Sequence, residues 1–333
     1  IIILFVLVLV HECGHFLTAK KFGIRVDEFG FGFPPKLFGK KYGETEYTFN
    51  LLPLGGFVKI FGENPDEENV NGPDASRSFV HKPKWQQALV LVAGVFSNFI
   101  LAWFLFSIGF MSGLPASVGS LDEKYPLWDV RTVVVSVLPD SPADDAGLKA
   151  GDKIFSIRDK NYSPSSVNPE TIKSVIVGNN GNEVTVSYTR GKDPTVYNTI
   201  VIPESNDADG RAAIGIAMDQ IGTAKLGPIS ALYEGLKLTS SVTKGTFVGL
   251  YSLIADSVRG QGSLESVTGP VGMVGIVDDA YQFGFVYLLS FAALISINLA
   301  IINLLPFPAL DGGRLFFLLI EKIKGSPMNQ KFA

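Results

Sequence analysis

The sequence predicts a polytopic α-helical membrane protein that carries a membrane-associated β-hairpin and an inserted, strand-rich α+β domain. Three observations predict it. Hydrophobic residues make up 47% of the 333 and charged residues only 18%, against about a quarter charged in an ordinary soluble domain, and mean hydropathy is +0.28. Three apolar runs are long enough to cross a bilayer. Between them lie stretches whose apolar residues alternate and are punctuated by turn residues, the pattern of strands.

The first span covers residues 1–21, ending at Lys20 and Lys21. Its nineteen-residue apolar part reaches roughly 28 Å at 1.5 Å per residue, close to the hydrocarbon thickness. The chain begins with Ile inside this run and ends on KGSPMNQKFA, so the reading expects a trimmed N-terminus and an incomplete C-terminus. Residues 29–62 are short and turn-rich: Tyr47, Phe49 and Leu51 alternate with Thr48 and Asn50, and Gly55-Gly56 is expected to turn the chain into Phe57-Val58-Lys59-Ile60. This is the β-hairpin, apolar enough to dip into the membrane if its backbone stays paired or lines a cavity. The polar stretch 64–78 is a surface loop, and a second span covers residues 86–111. Its mid-span Asn98 is expected to join helices rather than to touch substrate.

Residues 130–218 read as a soluble domain, with a helix opened by Asn168-Pro169-Glu170, a cap residue followed by Pro, and a strand at Val184–Tyr188. Residues 227–259 have partly amphipathic helical spacing, with too many Lys and Glu for a span, and are placed along the membrane surface. The third span begins near Gly284, breaks at Pro306 and Pro308, and continues as a short helix, the whole occupying 284–323. Lys20, Lys21 and Arg25, then Lys82 and Lys84, then Arg314, Lys322 and Lys324 fall on one side of an up-down-up path. Basic residues favour the cytoplasm, so the 130–218 domain is expected outside the cell.

Net charge is −4, with no basic stripe threaded through aromatics, which argues against a nucleic-acid partner. A single cysteine excludes an internal disulfide.

The chemistry is concentrated in His11-Glu12-Cys13-Gly14-His15. Two histidines four apart share a helix face and can meet one ion, with Glu12 about 100° around and placed to hold a water. Zinc lowers the pKa of its water to about 7, and a carboxylate can take the proton as a carbonyl is attacked. Cys13 points nearly opposite to His11 and reads as an apolar filler. The alternative is a pair of buried histidines satisfied by other polar groups. Ionisable groups at membrane depth cost about 2.5–3.5 kcal/mol each and are functional by default, which favours the metal. A catalytic zinc needs a third ligand. His81 lies in a basic, interfacial loop. Asp311 ends the apolar run broken by two prolines, where it could ligate, cap the next helix, or do both.

The motifs His11-Glu12-Cys13-Gly14-His15, Asn303-Leu304-Leu305-Pro306-Phe307-Pro308-Ala309-Leu310-Asp311-Gly312-Gly313, Gly269-Pro270-Val271-Gly272 and Phe57-Val58-Lys59 resemble those of a bacterial site-2 protease of the type that cleaves anti-sigma factors within the membrane. Residues 137–154 resemble part of a PDZ domain, so the resemblance implies an extracytoplasmic PDZ-like insert, here with one such signature rather than two. It implies one zinc per chain held by His11, His15 and Asp311, Glu12 as catalytic base, Asn303 near the substrate, and a membrane-reentrant hairpin that presents it. It implies a membrane-spanning protein substrate, a multi-pass location in the bacterial cytoplasmic (inner) membrane with zinc toward the cytoplasm, and a fourth span not visible in this chain. A peptide ligand of the PDZ-like domain would meet Ile214, Gly215 and Ile216 opposite the helix near Pro169 to Val177; the competing reading is a domain that only excludes bulky substrates. Two other functions compete: a non-catalytic adaptor that binds peptide C-termini, and a metal transporter. The adaptor would want a closed four-ligand zinc. The transporter would want ionisable residues in several spans.

Overall fold

The computed structural model describes residues 2–64, 67, 71–191, 193–205, 211–259 and 284–324. The Gly269-Pro270-Val271-Gly272 motif lies outside the described residues. The chain divides into two compact units, one formed by residues 1–107, 235–267 and 289–333 and the other by 108–234 and 268–288.

The first unit holds the membrane helices. Helix α1 (Ile2–Lys21) buries Leu7, His11, Gly14, His15 and Ala19, a single stripe at helical spacing. Strands β1 (Val26–Tyr42) and β2 (Thr45–Ile60) follow as a long hairpin. Its tip falls at Gly43-Glu44, where Gly43 takes φ +63°, and the hairpin folds back on itself: Glu28–Phe31 pair with Gly56–Lys59 on one side and, in parallel, with Glu46–Phe49 on the other, so β2 turns again between Asn50 and Gly56. Gly56, just past that second turn, lets the strands approach closely: a Cβ would stand 2.9 Å from the Gly30 carbonyl oxygen. β1 is paired along both halves, Val26–Phe31 opposite Gly56–Ile60 and Lys36–Tyr42 opposite Thr45–Asn50. Glu44 at the turn pairs with Lys20 and Arg77, tying the hairpin to the end of α1.

Helix α2 (Lys84–Ser112) packs against α1 through small residues. A Cβ on Gly14 would lie 2.4 Å from both the Ala93 carbonyl oxygen and Ser97 Oγ, so glycine there lets the two backbones touch, the usual device where lipid offers no hydrophobic drive between helices. At the far end of the chain, a later helix (Phe285–Asn303) buries Ala293, Ile297 and Ile301 against Ala102 and Phe106 of α2. α1, α2 and this helix are the three long and apolar enough to cross a membrane among the described residues.

The second unit is built on a six-stranded antiparallel sheet. Its strands are β3 (Leu114–Ser117), β4 (Trp128–Val137), β5 (Lys153–Arg158), β6 (Val184–Thr189), β7 (Tyr197–Val201) and β10 (Ile216–Ala224), in the order β3-β10-β4-β5-β6-β7; β8 (Glu204–Ser205) and β9 (Ala212–Ala213) form a separate pair. The sheet therefore starts and ends outside 130–218. The one-turn α3 (Pro142–Asp145) and α4 (Pro169–Gly178) cover it; Asn168 caps α4 by accepting from the Thr171 amide. Val134, Leu148, Ile154, Ile157, Ile172, Val184 and Val186 form its core. Asp152 is fully buried and takes two hydrogen bonds from Arg190 and one from the Lys149 amide; the carboxylate holds the Arg190 guanidinium above its ordinary pKa.

Helix α5 (Pro228–Val258) sets Leu238, Val242 and Leu250 against the cluster formed by α2 and the Phe285–Asn303 helix, now α6. After α6 comes α7 (Asp311–Lys324).

Candidate metal centre

The turn between α6 and α7 brings Asp311 to α1. Pro306 and Pro308 cannot continue a helix, and the chain reverses through hydrogen bonds from Phe307 N to Leu305 O and from Leu310 N to Phe307 O. Two glycines let α7 tuck beneath this turn. A Cβ on Gly312 would lie 2.3 Å from the Leu304 carbonyl, and one on Gly313 would lie 2.2 Å from the Phe307 oxygen. Any side chain at either position would push Asp311 away.

Three ligand-type atoms then meet. Asp311 Oδ2 stands 3.0 Å from His11 Nε2 and 3.2 Å from His15 Nε2, and the two nitrogens are 3.0 Å apart. Both histidines are buried, 6% and 7% exposed. His15 Nδ1 donates to the Val90 carbonyl at 2.8 Å; a carbonyl can only accept, so in the neutral ring Nε2 carries the lone pair. Among the described residues, no hydrogen-bond donor serves the buried Asp311 Oδ2. Lone pairs crowded this closely call for a cation. Ligands about 2.0–2.1 Å from a tetrahedral ion stand roughly 3.3 Å apart, so the spacing of these three atoms fits three corners of a zinc tetrahedron. Among the described residues, this is the one group of three or more His, Cys, Asp or Glu side chains arranged for a metal.

Glu12 sits beside the cluster, lining the same cavity of about 300 Å³ with His11, His15, Asn303 and Asp311. Its carboxylate is within reach of the Val58 backbone amide of β2. Arg314 and Glu63, also on the cavity wall, form an ion pair that links the end of the hairpin to α7. Cys13 is half-buried and outside the group. His81 bonds the Ala75 carbonyl and is not part of it.

Ile214, Gly215 and Ile216 lie in the other unit, along a groove of about 740 Å³ that also takes in Pro169, Lys173 and Val177 of α4. Beside them β10 is paired on one side with β4 over its whole length, but with β3 only from Ile221 onward.

The sequence reading missed part of the site. α2 lines the histidine pair with Val90, Gly94 and Asn98, and a Cβ on Gly94 would lie 2.3 Å from His15 Nε2. The four-residue spacing of these positions was a readable sign of one helix face; what that face meets was not readable.

Fold and site together define a membrane protein whose spanning helices converge on a candidate metal centre. The chain belongs to peptidase family M50, the site-2 protease family, whose description matches residues 1–333. It is 38% identical over 318 residues, 95% of this chain and 85% of the other, to a Clostridium perfringens protein named as a zinc metalloprotease. It is 32% identical over 407 aligned positions, 99% of this chain and 91% of the other, to the regulator of sigma-W protease RasP of Bacillus subtilis. A solved PDZ domain of an SdrC-like protein from Listeria monocytogenes aligns with 26% of this chain and 86% of that one, at 27% identity and a TM-score of 0.23. The protein is thus a zinc-dependent protease of the membrane.

Proposed function

We propose that the protein is an intramembrane endopeptidase that cuts single-span membrane proteins of the anti-sigma-factor kind, with His11, His15 and Asp311 as zinc ligands and Glu12 as general base. The observation that carries this reading is the convergence of two imidazole nitrogens and one carboxylate oxygen within 3.0–3.2 Å, inside a helix bundle and beside a fourth ionisable group. The substrate class is suggested by the likeness to RasP, whose name ties that protein to the regulation of sigma-W.

Zinc, when bound, supplies Lewis acidity that polarises the scissile carbonyl and brings the pKa of a water to about 7. The chain's residues do the rest. Glu12 accepts the proton of the attacking water on its carboxylate and returns it to the departing amide nitrogen. Gly56–Ile60 is an outer segment of the hairpin whose Val58 amide is directed toward Glu12; a locally unwound substrate can add there as a strand, gripped by backbone hydrogen bonds. Asn303, on the cavity wall, contacts that strand. The active site faces the cytoplasmic side, and the sheet domain lies outside the cell. Its Ile214–Ile216 groove accepts an extended peptide beside β10, where the strand edge lacks a β3 partner.

The test is cleavage of reconstituted single-span substrates. Wild-type protein should cut, and both a zinc chelator and Glu12→Gln should stop it. A Glu12→Gln protein that cuts normally overturns the reading.

A further inference from the structure

Helix α2 presents three residues to the histidine pair at one-turn intervals. Val90 supplies a carbonyl to His15 Nδ1. Gly94 supplies only space. Asn98, completely buried, sets its side-chain amide 3.4 Å from His11 Nδ1.

A ligating imidazole must offer one nitrogen's lone pair, so its other nitrogen carries the proton and needs an acceptor, commonly a carbonyl or carboxylate. Val90 fills that need for His15. Toward His11 the corresponding group is the Asn98 amide. With Nδ2 toward the ring, the His11 proton would be forced onto Nε2, the atom that faces Asp311, and Asn98 Oδ1 is left buried without a partner among the described residues. The two ends of an amide have nearly the same shape, so turning it over costs no space. Oδ1 then accepts from Nδ1–H, the orphaned oxygen gains a partner, and Nε2 keeps its lone pair. The contact to α6 does not use this side chain, since Ser296 Oγ donates to the Asn98 backbone oxygen.

We propose that Asn98 is a positioning residue of the metal centre: its amide oxygen accepts from His11 Nδ1–H and fixes the tautomer and ring orientation in which Nε2 binds zinc. This rests on the assignment of His11 as a ligand. A carboxylate at 98 can replace the amide as acceptor, and an aliphatic side chain cannot.

The experiment measures zinc affinity of the full chain in detergent by competition with a chromophoric chelator, and the visible absorption of the cobalt-substituted protein. Asn98→Ala and Asn98→Leu should weaken zinc about tenfold to a hundredfold and alter the cobalt bands; Leu matches the amide in bulk, so a packing defect is not confused with a lost acceptor. Asn98→Asp should restore affinity and spectrum. Ser296→Ala, which loosens the same helix contact, should leave both unchanged. Wild-type affinity in the aliphatic variants, or equal weakening in Ser296→Ala, overturns the proposal. Failure of the underlying assignment looks different: His11→Ala would then hold zinc as tightly as wild type.

Discussion

Gly94→Ala adds one methyl group, and the structure says where it goes. The new Cβ would sit 2.3 Å from His15 Nε2, 2.5 Å from His15 Cε1 and 2.9 Å from His11 Cε1, so the first contact falls about 1.1 Å inside the 3.4 Å of an ordinary approach. The backbones cannot separate easily to make room, because Gly14 already lies against Ala93 and Ser97 one turn away. The ring must therefore swing, breaking the Val90 hydrogen bond and carrying Nε2 off by about 1 Å. Metal sites tolerate about 0.2 Å, and a misplacement near 1 Å can cost a hundredfold in rate. Folding suffers less: overpacking costs about 1–3 kcal/mol, and the helix regains about 1 kcal/mol when Gly becomes Ala, for a net loss of about 0–2 kcal/mol. Gly94→Ala should thus be a folded protein with little zinc and cleavage at least about a hundredfold down. Zinc stoichiometry, substrate cleavage and a thermal melt on one preparation measure all three. Full zinc occupancy with near wild-type cleavage would refute the reasoning.

Three further outcomes follow from the same geometry. Glu12→Gln should keep its zinc and lose about 10²- to 10⁴-fold in cleavage, because it removes the proton acceptor and no ligand; metal analysis beside the cleavage assay checks both halves. Gly312→Ala puts a methyl 2.3 Å from the Leu304 backbone and should displace Asp311, so zinc affinity should fall while α1 still holds both histidines. In the sheet domain, Asp152→Ala removes the buried carboxylate that gathers Arg190 and the Lys149 amide. It should cost about 1–3 kcal/mol, read as faster limited proteolysis within 114–224 while zinc content stays at the wild-type level.

How much was legible depended on how far apart the cooperating residues lie. His11, Glu12 and His15 share two turns of one helix, so their common face follows from spacing alone. Asp311 is nearly 300 positions away, yet it stood out as a carboxylate closing a proline-broken apolar run, and the structure brings it to the pair. Asn98 was read as a joint between helices, because a lone amide in a span has no spacing partner to announce a role; its partner is 87 residues earlier. The hairpin was legible in part. The turn near Gly55-Gly56 was readable and the tip at Gly43 was not, because glycine serves two needs, positive φ and close approach. Gly56 answers the second, against the Gly30 carbonyl, just past the fold-back between Asn50 and Gly56, while Gly43 supplies positive φ at the hairpin tip. The sheet domain outgrew its expected bounds because β3 is only four residues long and gains its place by pairing with the end of β10 across a hundred residues.

The most direct test is X-ray absorption at the zinc edge of the purified, zinc-loaded enzyme. Two imidazoles and a carboxylate should give a shell of nitrogen and oxygen at about 2.0–2.2 Å, with outer scattering from two imidazole rings. A sulfur at about 2.3 Å, which only Cys13 could supply, or scattering from three rings, which would bring in His81, would contradict the assignment.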